Sequence, residues 1–281
     1  MTTNVTPTNQ HRVRASKDAT HALPEKSPWL LRGFTRFARW QVTKHFHALR
    51  LASPGRPDLP SDCPLLIYLN HPAWWDPLIG LMLADMCFPQ HSHYGPIDAV
   101  ALKQYAFFQK LGFFGIDPRQ RSGSTRFLTL GQQIMSSPAN ALWVTAQGEF
   151  TDPRQRPVTL RPGVAHLARR LDHGLIVPLA LEYPFWTEKK PEALAQFGTP
   201  IDLAQISTFT TEQWQDQLTS ALQQTMDQLA SLAKRQDNND WHTLLTGRVG
   251  TTPAYDLYRA TRAAIKGQRF HRAHREISHN A

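Results

Sequence analysis

The 281-residue chain is short of cysteine, of long apolar runs and of acidic charge, and each shortage narrows what it can be. Its two cysteines, Cys63 and Cys87, are too few and too far apart for a disulfide framework or a cysteine-held metal, which points to a reducing cytoplasm. No apolar run approaches the roughly 20 residues that span a bilayer, so any dealings with a membrane are expected at its surface. The opening stretch MTTNVTPTNQHRVRASKDAT lacks the apolar core of a secretory signal. Asp and Glu number 22 against 31 Lys and Arg, a formal net charge of +9 that attracts anionic partners. The basic residues gather towards the two ends and no nucleic-acid-binding motif accompanies them, so nucleic acid is not the expected partner. The 13 histidines show no ligand spacing on one helix face, and no metal or redox cofactor is implied.

What is present has a globular balance, 41% hydrophobic and 19% charged, sized for one main domain with flanking arms. Residues 1–26 are polar, without period, and read as a disordered leader. Residues 27–52, SPWLLRGFTRFARWQVTKHFHALRLA, hold no acid. Leu30, Phe34, Phe37 and Val42 share a broad helical face, with Trp29, Trp40 and Phe46 near its margins and Arg32, Arg36 and Arg39 on another. That pattern fits a membrane-interfacial helix, and equally an amphipathic helix packed on the domain. A proline-rich linker (53–64) then opens an α/β domain over 53–236. Strands are expected at 65–69, about 93–101, 141–145 and 175–183. Helices are expected at 77–87, 124–135, 161–171 and 210–235, the last with a Thr210/Gln213 capping box. The expected fold class is α/β, a mixed central sheet flanked by helices. Residues 237–281 form a basic C-terminal extension, with Arg259, Arg262, Lys266 and Arg269 among Tyr255, Tyr258 and Ile265. It reads as a second docking arm or a solvated tail.

The sharpest local feature is LLIYLNHPAWWDP. A buried strand runs out into Asn70-His71, and Asp76 follows five residues after His71. Open α/β sheets place their chemistry at strand ends. A histidine there can take a proton from an attacking hydroxyl, with a carboxylate on its other ring nitrogen fixing the tautomer. The two side chains meet only if the intervening PAWW turns, since i and i+5 diverge on a helix. Asp76 before Pro77 also fits a plain helix N-cap. An H-x-x-x-x-D match arises by chance roughly once in a chain this rich in His. Indeed His93 and Asp98 form a second one, without Asn before the His.

With these residues in view, the chain resembles the glycerolipid acyltransferase family, which includes the lysophosphatidic acid acyltransferases. The family's N-H-x-x-x-x-D motif is matched by Asn70, His71 and Asp76. Its second motif resembles LGFFGIDPRQR, through Gly112, Ile116 and either Arg119 or the competing Arg121, with Lys103 upstream where a basic residue is frequent. Its third motif, Pro-Glu-Gly-Thr-Arg after a strand, is altered here. Gln147 stands for the Glu, Gly148 is kept, and Glu149 and Phe150 take the Thr and Arg places. Val177-Pro178 match the fourth motif. The resemblance spans roughly residues 65–205.

It implies an O-acyltransferase of lipid metabolism in which His71 is the general base and Asp76 its partner. The donor would be acyl-CoA or acyl-carrier protein, and the protein would lie peripherally on an anionic membrane in the cytoplasm. Asn70, Lys103, Arg119, Arg121, Gln147 and Gly148 would contact substrates, with Gly148 a donor to the tetrahedral oxyanion. A lysophospholipid acceptor, as in phospholipid biosynthesis, is the family's pattern. Losing the motif's Arg to Phe150 raises a phosphate-free acceptor such as a glycolipid beside it, unless Arg154 and Arg156 substitute. A degenerate domain retained for membrane binding is the third reading.

Overall fold

Five consecutive apolar residues, LLIYL, are buried without exception as strand β2 (Leu65–Leu69), because this strand lies inside the sheet with helices on both faces. The computed structural model describes residues 22–60, 62–206 and 208–247. Among them the other strands are β1 (Ala48–Ala52), β3 (Ser92–Asp98), β4 (Phe113–Ile116), β5 (Asn140–Thr145), β6 (Leu175–Glu182), β7 (Ala193–Phe197), β8 (Ile201–Asp202) and β9 (Trp241–Thr246). They form one sheet in the order β4-β3-β5-β2-β6-β7-β1-β9, with β8 also paired to β6. The run from β4 to β6 is parallel throughout. β7 turns antiparallel to β6, β1 lies parallel to β7, and β9 closes antiparallel on β1. The sheet is therefore mixed.

Side chains alternate across the sheet. Leu66 and Tyr68 of β2 enter a core completed by helices α4 (Arg121–Met135), α5 (Gly163–Ala168) and α6 (Thr211–Arg235). Leu65, Ile67 and Leu69 enter the opposite core, under α1 (Pro28–His45) and α2 (Asp76–Cys87). The Thr210/Gln213 capping box starts α6 in both directions, as its sequence foretold. A short helix α3 (Ala99–Gln104) and a 3-10 turn (Ala106–Leu111) join β3 to β4.

Two stretches depart from expectation. The segment 27–52 is helical only to His45, and Ala48–Ala52 becomes strand β1 because β7 and β9 supply ladders on both of its sides. Of the residues expected to share one apolar face, Val42 points inward and Phe37 outward. Ala38 and Val42 are buried, with Phe34 packed against the same core, while Trp29, Phe37 and Trp40 stay exposed. The extension from Asp237 begins by adding β9 to the sheet edge. Residues 1–21, and the basic stretch beyond Gly247 that carries Tyr255, Tyr258 and Ile265, lie outside the described residues. No described helix is long and apolar enough to cross a membrane.

Candidate functional site

Because β4, β3, β5, β2 and β6 run parallel, the loops that follow them all leave the same edge of the sheet. His71 follows β2, Gln147–Phe150 follow β5, Tyr183 follows β6, and Arg119 and Arg121 follow β4. After β2 the chain cannot coil at once through Pro72, and it makes a turn in which the Asp76 N–H donates to the Ala73 carbonyl at 3.2 Å. This turn brings His71 and Asp76 together.

The His71 Nδ1 and Asp76 Oδ2 atoms are 2.5 Å apart. A carboxylate only accepts, so Nδ1 donates to it, and in the neutral ring Nε2 is then the acceptor. Nε2 has no partner among the described residues, and the His71 side chain keeps 18% of its surface open. Asp76 is 1% exposed and fully engaged. Its Oδ2 also accepts from the Ala73 N–H at 3.2 Å, and its Oδ1 accepts the Tyr183 hydroxyl at 2.6 Å. Asp76 makes no hydrogen bond to the first turn of α2, so the simple N-cap role is not taken up. Burial, and then the facing carboxylate, push the Tyr183 phenol well above its ordinary range. It stays protonated as a fixed donor. Tyr183 was not foreseen from the sequence, where only its place at the end of the β6 strand marks it.

The backbone of His71 is held from both sides. Its N–H donates to Gln147 Oε1 at 2.9 Å, and its carbonyl accepts from the Thr151 N–H at 2.9 Å. The Phe150 ring lies 4.4 Å from the imidazole, centroid to centroid. Thus the loop after β5, residues 147–151, forms one wall beside His71.

The other expected contact residues divide. Asn70 is fully buried, and its amide exchanges two hydrogen bonds with the backbone of Leu181, at 3.0 and 2.8 Å. It clamps the end of β2 to β6. Gln147 also works through His71, although it lines the adjoining cleft. Gly148, at φ +71°, is the turn residue expected of glycine, but its N–H donates to the Thr145 carbonyl and is not free for an oxyanion. The close approach it permits is taken by the Arg161 side chain. On the same loop, the N–H groups of Glu149 and Phe150 have no acceptor among the described residues.

Lys103, Arg119 and Arg121 are exposed, without side-chain partners among the described residues. Arg119 is presented by a turn in which Asp117 accepts its N–H at 3.0 Å, and α4 begins at Arg121. β4 lies three strands from β2, about 14 Å at the usual spacing. By contrast Arg154 and Arg156 are committed. Arg154 grips Asp152 with two nitrogens at 2.9 and 2.6 Å, and Arg156 grips Asp227 at 2.8 and 2.6 Å.

The second H-x-x-x-x-D pair separates completely. His93 meets the Phe88 carbonyl through Nε2 and accepts from Trp143 Nε1 through Nδ1, both at 3.0 Å. Burial lowers its pKa to about 4, so it is a neutral structural histidine. Asp98 instead caps α3 by accepting from the N–H groups of Val100 and Ala101.

No known family model and no curated protein matches the sequence. Among solved structures, the fold is similar to that of the 1-acyl-sn-glycerophosphate (LPA) acyltransferase PlsC from Thermotoga maritima. The identity is 10% and the TM-score 0.51, over 79% of this chain and 84% of that one. The likeness is one of fold.

Proposed function

We propose that this protein transfers a fatty acyl group from a thioester donor, acyl-CoA or acyl-carrier protein, to a hydroxyl of a lipid acceptor. The observation that carries the reading is the His71–Asp76 pair at 2.5 Å, at a strand end, with Nε2 unpartnered. The acceptor's oxygen attacks the thioester carbonyl while His71 Nε2 takes its proton. A carbon–oxygen bond forms, the carbon–sulfur bond breaks, and the proton passes to the departing thiolate. Asp76 steadies the imidazolium between the two steps, and Tyr183 holds Asp76. The free N–H groups of Glu149 and Phe150 are the nearest backbone donors for the tetrahedral oxyanion. Lys103, Arg119 and Arg121 are suited to the phosphates of the donor or to an anionic acceptor. The similar fold of PlsC, an enzyme of 1-acyl-sn-glycerophosphate, supports the reaction class.

The protein would work on an anionic membrane surface from the cytoplasmic side. Phe107, Phe34, Phe37 and Trp40 form a continuous aromatic row with successive ring centroids 5.9, 5.7 and 6.0 Å apart. The Lys44 ammonium sits 4.9 Å over the Trp40 ring. Exposed aromatics beside cations suit the headgroup layer. A domain kept only for membrane binding would have no need of the Tyr183–Asp76–His71 chain.

The test is transfer of a radiolabelled long-chain acyl group from acyl-CoA to a panel of lysophospholipids and glycolipids. His71→Ala is expected to lower turnover by about 10²–10⁴-fold and Asp76→Asn by a similar factor. Undiminished transfer by His71→Ala would overturn the mechanism.

A further inference from the structure

A cleft of about 420 Å³ opens beside His71, lined among others by Gln147, Glu149, Phe150, Gln155, Thr159 and Arg161. Three contacts tie it to the candidate catalytic pair. Gln147 accepts the His71 N–H, Thr151 donates to the His71 carbonyl, and the Phe150 ring lies against the imidazole at a 40° tilt. A group seated in the cleft would lie against Gln147, Thr151 and Phe150, the residues that touch His71.

The charges around the cleft come in opposed pairs. Arg154 and Arg156 are held by Asp152 and Asp227. Glu182, which burial pushes towards its neutral form, faces Arg154, Lys234 and Arg156. On the cleft itself one carboxylate, Glu149, and one guanidinium, Arg161, have no ion-pair partner among the described residues. A phosphate monoester would meet one cation and one like-charged carboxylate, a poor match for a dianion. The same lining suits hydroxyl groups well. Glu149 accepts them, Arg161 donates to them, and Gln155 and Thr159 do both. Phe150, 61% exposed, supplies an apolar face for the C–H side of a ring.

We propose that this cleft is the acceptor's head-group subsite, and that it takes an uncharged, hydroxyl-rich group, a sugar or polyol carried on a lipid. The acceptor role rests on the acyl-transfer reading, while the ligand class rests on the cleft alone. Phe150, with its exposed ring on the cleft, sets this preference.

The experiment compares octyl β-glucoside with octyl phosphate, both below their critical micelle concentrations, by NMR titration of the full-length protein. The two probes share a chain and differ in head group. Octyl β-glucoside is expected to bind saturably and at least tenfold more tightly than octyl phosphate. Phe150→Ala and Glu149→Gln, both exposed positions, should each weaken the glucoside about tenfold, with Phe150→Tyr retaining it. Octyl phosphate binding as tightly as the glucoside and lost in Arg161→Gln would overturn the proposal in favour of an anion subsite. Equal binding of both probes, indifferent to all these substitutions, would overturn it as chain adsorption alone. Binding is read without turnover. Glucoside binding as expected, beside absent acyl transfer to every acceptor, would sink the acyl-transfer reading and the acceptor role while leaving the ligand class standing.

Discussion

Replacing Tyr183 with phenylalanine removes one oxygen, the one 2.6 Å from Asp76 Oδ1, and leaves the ring that packs against Phe46. A hydrogen bond to a charged acceptor contributes about 1.5–3 kcal/mol net, and its loss leaves a carboxylate oxygen of a 1%-exposed residue unpaired. For a protein of this size, about 2–4 °C per kcal/mol gives a fall in Tm of roughly 3–12 °C. Asp76 still holds the Ala73 N–H and His71, so the pair loosens without coming apart. We therefore expect kcat to fall about tenfold, well short of the 10²–10⁴-fold loss expected for His71→Ala. KM should hold within about twofold, because the Tyr183 hydroxyl is turned onto Asp76 and not towards substrate. Thermal unfolding followed by steady-state acyl transfer reads all three quantities. A variant with unchanged Tm and kcat would refute the idea that this hydroxyl holds the carboxylate. A raised KM with intact kcat would refute it differently, by placing the hydroxyl in contact with substrate.

Gly148→Ala forces a side chain into φ +71°, with its Cβ 2.3 Å from Arg161 Nε, and is expected to cost about 1–2 kcal/mol in chemical denaturation and to displace Arg161 from the cleft. His93 provides a pH test. Its folded pKa is lowered from 6.5 to about 4, so below pH 6.5 the unfolded chain takes up a proton that the folded one refuses. Stability therefore falls as the pH drops to 4, by up to about 3 kcal/mol, and His93→Gln should flatten that limb of the stability profile measured by urea titration. Phe37→Ala with Trp40→Ala, at half-exposed positions, should leave Tm within about 2 °C and weaken co-sedimentation with anionic vesicles several-fold. Unchanged sedimentation would remove the aromatic row from membrane docking.

Elements whose signal is local were readable in advance. β2 announces itself as an unbroken apolar run between proline and asparagine, and α6 through its capping box. The turn at Ala73–Asp76 follows from its flanking prolines. β1 and β9 were not readable, because ALRLA continues an amphipathic helical texture and becomes a strand only when β7 and β9, distant in sequence, arrive beside it. The site divides in the same way. His71 and Asp76 lie five residues apart, and the strand before them distinguishes them from His93 and Asp98. Tyr183 meets Asp76 across 107 residues, so the link exists only in the fold. Likewise nothing near Arg156 or Asn70 in the sequence says that Asp227 grips the one or that the Leu181 backbone holds the other.

The pairing of Ala48 with Thr246 sets a timetable for the nascent chain. β1 leaves the ribosome early, and its first partner, β7, follows only after some 140 residues. Its second, β9, needs almost 50 more. At about 5–20 residues per second, the outer edge of β1 waits roughly 2–10 s longer than its inner edge. An open edge is an invitation to the wrong strand. Arg50 in the middle of β1 answers it. This arginine is drawn inward onto the nearly buried Glu192 as soon as β7 docks, and it later finds Thr243 of β9 at 3.1 Å. A stray strand arriving first would have to accommodate that guanidinium.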